Sequence, residues 1–187
     1  RKGTVVFDTD EHPKAGTTLE SLATLKPAFL KENGTVTPGN ASGLNDGAAA
    51  CVLMEAGAAS RAGRTPLARL VTYAVAGVDP SVMGIGPIPA VKLALQRAGL
   101  TLDQMDVIES NEAFAAQSLG VCRGLDLDPA RTNPNGGAIA LGHPLGATGA
   151  IITIKCLYEL IRTQKRYGLV TMCIGGGQGI AAIFERA

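Results

Sequence analysis

DVIESNEAFAAQSLGVC, residues 106–122, changes character part-way: a short stretch with the β-branched pair Val107-Ile108 leads to Asn111-Glu112, and an Ala-rich run with helical spacing follows. It reads as a short strand leading directly into a helix. The same alternation extends outward from it. Upstream, LARLVTYAVAGVDP at 67–80 has the β-branched and aromatic content of a strand and is ended by Gly77 and Pro80. Pro87 and Pro89 then suit a first helical turn, and Val91, Ala94, Leu95 and Ala98 recur at helical spacing until Gly99. Downstream, ATGAIITIKCLYELIRTQKR at 147–166 reads as a long apolar helix with basic residues in its last turn. GLVTMCI at 168–174 and GIAAIFE at 179–185 read as two short strands joined by GGGQ at 175–178. Strands separated by helices of this length predict an α/β layered domain whose final strand pair is antiparallel.

Before residue 43 the texture differs. Residues 1 to about 40 are polar and rich in turn formers, which predicts a peripheral loop segment. AAACVLMEA at 48–56 is a continuous apolar run of strand length, followed by a turn at Ala62-Gly63. A boundary is therefore expected near residue 43.

Lys and Arg number 17 against 16 Asp and Glu in 187 residues, a net charge of +1, so no basic face is implied for nucleic acid or an anionic membrane. With 46% hydrophobic and 18% charged residues the chain is globular, and its low charge points to surface covered in an oligomer. The most apolar region, 138–160, is interrupted by Gly142, His143, Pro144, Gly146 and Gly149, leaving no stretch of the ~20 residues that spans a bilayer. Cysteines at 51, 122, 156 and 173 lack the density of a disulfide scaffold and the pairing of a zinc site, so reduced thiols in a cytoplasm-like compartment are expected, with no metal. Before Arg1 there is neither Met nor a charged-then-apolar leader, from which a processed or truncated chain is expected.

Three segments carry candidate chemistry. NEAFAAQ at 111–117 places an Asn and a Glu where a strand gives way to a helix, a favoured place for ligands in α/β sheets, although Asn111 also suits a plain helix N-cap. In NPNGGAIALGHPLGATGA at 133–150, His143 lies between two glycine clusters, ahead of a helix whose first N–H groups suit an oxyanion. In CIGGGQG at 173–179, Cys173 ends a strand and is followed by a glycine nest. Cys51, Cys122 and Cys156 sit in apolar runs and read as small buried hydrophobes. A thiol, an imidazole, an amide and glycine nests suit acyl transfer through tetrahedral intermediates.

These three segments, in this order and spacing, resemble the thiolases; NASGLNDGAAA at 40–50 and AGVDPSVMGIGPIPA at 76–90 extend the resemblance over essentially the whole chain. The resemblance implies a thiolase-like layered α/β fold, the C-terminal half of an αβαβα architecture. Residues 1–42 would end a loop domain that covers coenzyme A, and residues 43–187 would form the C-terminal domain. The N-terminal half, with its nucleophilic Cys, would be a partner. By resemblance His143 activates that nucleophile, Asn111 orients a water in the first oxyanion hole, Cys173 moves the α-proton, and the Gly175 N–H serves the second oxyanion hole. A thiol of ordinary pKa about 8.5 would need neighbouring dipoles to bring it towards neutrality. Ser42, Met83, Ala113, Phe114, Phe29 and Lys14 match positions that contact coenzyme A, while Pro38 and Lys14 replace the Ala and Arg of many relatives. The implied activity is CoA-dependent Claisen condensation and thiolysis between acetyl-CoA and 3-ketoacyl-CoA by a homodimer or homotetramer, with CoA as substrate and no separate cofactor. A decarboxylating ketoacyl synthase and a non-catalytic CoA-binding or assembly module are the alternatives.

Overall fold

Four strands share one mixed sheet in the computed structural model, which describes residues 3–187. The first two residues of the expected 1–42 segment, and the chain-start reading at Arg1, lie outside the described residues. In chain order the strands are β1 (Ala68–Gly77), β2 (Val107–Ser110), β3 (Tyr167–Ile174) and β4 (Gln178–Arg186), arranged β1-β4-β3-β2. β2 and β3 run parallel, whereas β3–β4 and β4–β1 are antiparallel, as expected for the final pair. β2 is buried along its whole length, its polar Glu109 and Ser110 included.

Helices cover both faces. α1 (Leu19–Ala23) and α2 (Ala56–Arg61) are short and peripheral; α3 (Pro87–Ala98), α4 (Ala115–Leu125), α5 (Ala138–Leu141) and α6 (Thr148–Thr163) follow. α3 buries Pro87, Ala90, Val91 and Ala94, the i, i+3, i+4, i+7 stripe of an amphipathic helix, and ends at Gly99 in the left-handed conformation with φ 65°. With Val121 and Leu125 of α4 it packs on Ala74, Ile108, Leu169, Ala181 and Ile183. On the opposite face Ile152, Cys156 and Leu160 of α6 pack on Val107 and Val170. Each fully buried Ile or Leu contributes about 1.5–3 kcal/mol relative to exposure. The α/β layering is as the sequence implied.

One predicted strand is absent. Residues 48–55 are irregular backbone without a ladder partner among the described residues, and α2 starts at Ala56. Val52 is 90% exposed and Cys51 is exposed, so Cys51 is not the buried hydrophobe expected of it. Apolar, extended sequence makes a strand only where another strand offers its N–H and C=O groups, and none does here.

The peripheral segment returns to the sheet just where the parallel strands end. The Ala115 N–H donates to Asn40 O (2.8 Å), the Ser42 N–H to Ala113 O (3.0 Å), and Leu44 forms a bridge with His143. These contacts, the C-terminal ends of β2 and β3 and the start of α6 surround one region, the usual place for ligand chemistry in an α/β sheet.

Candidate active site

His143 is buried between Gly142 and Pro144, and its backbone N–H donates to Asn45 Oδ1 at 3.0 Å. Its ring is held at both nitrogens. Nδ1 lies 2.7 Å from Thr148 Oγ1, whose own proton is donated to Pro144 O at 2.9 Å. The hydroxyl therefore accepts from Nδ1–H, which puts the basic lone pair of the ring on Nε2. Nε2 faces Asn111 Nδ2 at 3.3 Å. Burial holds the imidazole pKa below its ordinary value and so favours the neutral ring. A cleft of about 210 Å³ opens beside it, lined by Leu44, Asn45, Asp46, His143 and Leu145.

Asn111 is not a helix cap: the N-cap of α4 is Phe114. Its amide is buried, and its Oδ1 has no hydrogen-bond partner among the described residues. A buried acceptor left open costs free energy unless a water or ligand group fills it. The loop carrying Asn111 is stitched to the histidine loop through Asn133. Asn133 Oδ1 accepts the Ser110 N–H (2.9 Å), and its Nδ2 donates to Ser110 O (2.9 Å) and to Glu112 Oε1 (3.3 Å). Glu112 Oε2 in turn accepts the Ile139 N–H at 3.2 Å. A side chain at Gly137 would run into the Glu112 carboxylate, which explains a glycine there.

Cys173 is buried near the end of β3, and the Asn111 N–H donates to Thr171 O, two residues earlier on that strand (3.0 Å). Its thiol forms no hydrogen bond to His143 or Asn111 among the described residues. Burial pushes that thiol's pKa up against the opposing pull of a backbone N–H, so desolvation outweighs the dipoles expected to lower it. Gly175 begins the turn into β4, with open space on its Cβ side; Gly176 and Gly177 have φ 84° and 87°, the left-handed backbone that glycine suits.

Of the CoA-side candidates, four are contiguous. Ser42 Oγ donates to Ala113 O at 3.0 Å, and the Phe114 and Phe29 rings meet edge to face with centroids 5.9 Å apart. Met83 sits half-buried in the 3₁₀ turn Pro80–Ile85, which α4 holds through Gln117 Nε2 donating to Gly84 O (3.1 Å). Lys14 is exposed and is tied to none of these side chains by a hydrogen bond among the described residues.

The family model for the thiolase C-terminal domain matches residues 64–186, and that for the thiolase N-terminal domain matches residues 1–57. The chain belongs to the thiolase family. It is 66% identical to the beta-ketothiolase BktB of Cupriavidus necator and 59% identical to an acetyl-CoA acetyltransferase of Escherichia coli, covering 100% of this chain and 47% of each relative. The chain thus spans about half the length of the relatives it matches. Among solved structures, Bacillus anthracis acetyl-CoA acetyltransferase superposes with a TM-score of 0.94 at 52% identity, over 100% of this chain and 47% of that one. Human mitochondrial 3-ketoacyl-CoA thiolase in complex with CoA gives 0.88 at 49%, over 97% and 46%. The fold of this thiolase chain is the thiolase fold.

Sequence reading of the thiolase chain missed Thr148, Asn45 and Asn133 as supports of the site. Thr148 stands at the first position of α6, five residues after His143, where a hydroxyl can reach back into the preceding loop; that spacing was the available signal. Asn45 and Asn133 act across 98 and 23 residues of chain, and no local pattern reports such partners. No group of three or more His, Cys, Asp or Glu side chains suited to a metal occurs among the described residues, nor any helix long and apolar enough to cross a membrane.

Proposed function

We propose that this chain supplies the proton-handling part of a thiolase site and, with an upstream half carrying the nucleophilic Cys, catalyses reversible CoA-dependent condensation and thiolysis of 3-ketoacyl-CoA. The observation that carries the reading is the buried neutral His143, held as the Nδ1–H form by Thr148 with Nε2 directed at Asn111. Such a ring takes the proton of a thiol nucleophile and returns it to the departing CoA sulfur. The open Oδ1 of Asn111 receives a water O–H, and the water's other proton faces the thioester oxygen. Cys173 removes the α-proton of acetyl-CoA before the new C–C bond forms; in the reverse direction its thiol protonates the carbanion released as that bond breaks. Burial of Cys173 favours the thiol form that cleavage uses. The Gly175 N–H donates to the second thioester oxygen.

Residues 1–42 are read as the end of a CoA-covering loop domain and 43–187 as the C-terminal half, with Ser42, Met83, Ala113, Phe114, Phe29 and Lys14 along the coenzyme. Acetoacetyl-CoA and somewhat longer 3-ketoacyl-CoAs are the proposed substrates, in keeping with relatives named acetyl-CoA acetyltransferase and 3-ketoacyl-CoA thiolase. A homodimer or homotetramer in a reducing, cytoplasm-like compartment fits the four free cysteines.

The test is Cys173→Ala in the full-length protein. Acyl labelling of the nucleophile by acetyl-CoA should persist while condensation falls by about 10²- to 10⁴-fold. Equal loss of labelling and turnover would overturn the role given to Cys173.

A further inference from the structure

A half-buried cation is used by none of these steps. Lys155 of α6, its side chain 22% exposed, places Nζ 2.9 Å from Glu109 Oε2 and 2.6 Å from Gly136 O. Glu109, 1% exposed, lies on β2 two residues before Asn111. Gly136 lies seven residues before His143 in a turn where Asn133 (φ 49°) and Gly136 (φ 83°) both adopt left-handed backbone. Glu112 and Glu159 are the other carboxylates facing this pair; Glu159 is itself held by Arg162 and by Asn135 Nδ2.

Stability alone explains the arrangement poorly. A buried ion pair roughly breaks even against apolar residues of the same volume, because desolvating two charges offsets their attraction. The second bond, to Gly136 O, adds no charge pairing. What it does is fix the turn: Asn133, a non-glycine at φ 49°, keeps left-handed backbone only where its surroundings over-determine it, and Gly136, which has no side chain to restrict it, is pinned by its carbonyl. We propose that Lys155 is a positioning residue, which ties the strand delivering Asn111 and the turn leading to His143 to one helix and so fixes the spacing of the amide and the imidazole. The inference rests on the thiolase reading of those two residues.

Lys155→Met and the double variant Glu109→Leu/Lys155→Met, both in the full-length protein, test it. Lys155→Met leaves a carboxylate buried and unpaired; the double variant leaves no charge behind, so it restores thermal stability should the single variant fail to fold. In the double variant kcat for thiolysis is expected to fall by up to about 10²-fold, with KM for CoA unchanged because the coenzyme contacts lie elsewhere. Amide hydrogen exchange at residues 137–142 is expected to quicken at least about tenfold, with residues 168–172 of β3 unaffected. Return of stability, turnover and loop protection together in the double variant would overturn the proposal. Should the unmodified protein lack thiolysis, the thiolase reading fails by itself, and the exchange measurement still decides the tie: unchanged protection at 137–142 sinks it.

Discussion

Thr148 decides which nitrogen of His143 is available. Its hydroxyl has one proton, directed at Pro144 O, so it can only accept from Nδ1, and the lone pair is left on Nε2 beside Asn111. Valine has nearly the same shape and no acceptor. Thr148→Val should therefore strand a buried N–H, lowering stability by about 1–3 kcal/mol, and should lower kcat by about 10²-fold as the ring loses its tautomer preference. Thr148→Ser, which keeps the oxygen, should retain most activity. Parallel thermal melts and thiolysis rates on the two variants check this, and equal damage from Ser and Val would assign Thr148 a packing role only. At this scale the sequence was legible where residue type implied chemistry: His143 and Asn111, 32 positions apart, do meet. Their supports were not, because Thr, Asn and Lys acquire such roles only from neighbours brought in by the fold.

The elements follow local pattern closely wherever a face is buried within the chain. The helix expected over 147–166 runs Thr148–Thr163, and the one expected from Pro87 to Gly99 has those limits. β4 and the entrance of α3 approach more closely than any sequence pattern announces. An ideal Cβ at Gly179 falls on the Gly86 carbonyl and one at Gly86 on the Gln178–Gly179 peptide, backbone that cannot swing aside as a side chain would. Gly179→Ala should accordingly destabilise the protein at the upper end of the roughly 1–3 kcal/mol typical of overpacking. Urea unfolding measures it, and a change below about 0.5 kcal/mol, typical of surface substitutions, would show that the two segments separate freely.

At the scale of the whole molecule, much apolar surface is uncovered. Residues 48–54 are largely exposed, and on the outer strand β1 Tyr73 is 58% exposed, with Leu70 and Val75 also exposed. Under the proposed function, the upstream half of the thiolase would cover apolar surface of this kind. The four cysteines report on it differently. Cys51 stands in the exposed run, whereas Cys156 is fully buried with its thiol pushed far up by burial. In the isolated chain Cys51 should alkylate at least about tenfold faster than Cys156, and joining the upstream half should slow Cys51 to a similar degree. Mass mapping of an iodoacetamide time course checks this; unchanged Cys51 labelling in the full-length protein would place the interface elsewhere.

Periodicity over 87–98 and 147–166, the β-branched runs of the four strands and the glycines at 99 and 175–177 determined helices, strands and turns, since each reflects a choice a residue makes against its immediate neighbours. The motifs holding Asn111, His143 and Cys173 likewise determined the family. Only the tertiary structure decided that residues 48–55 form no strand, that burial outweighs the dipoles at Cys173, and that Thr148, Asn133 and Lys155 support the site. Each of those depends on what lies across space, a ladder partner, a low-dielectric wall or a carbonyl tens of residues away, and a linear pattern carries no record of that distance.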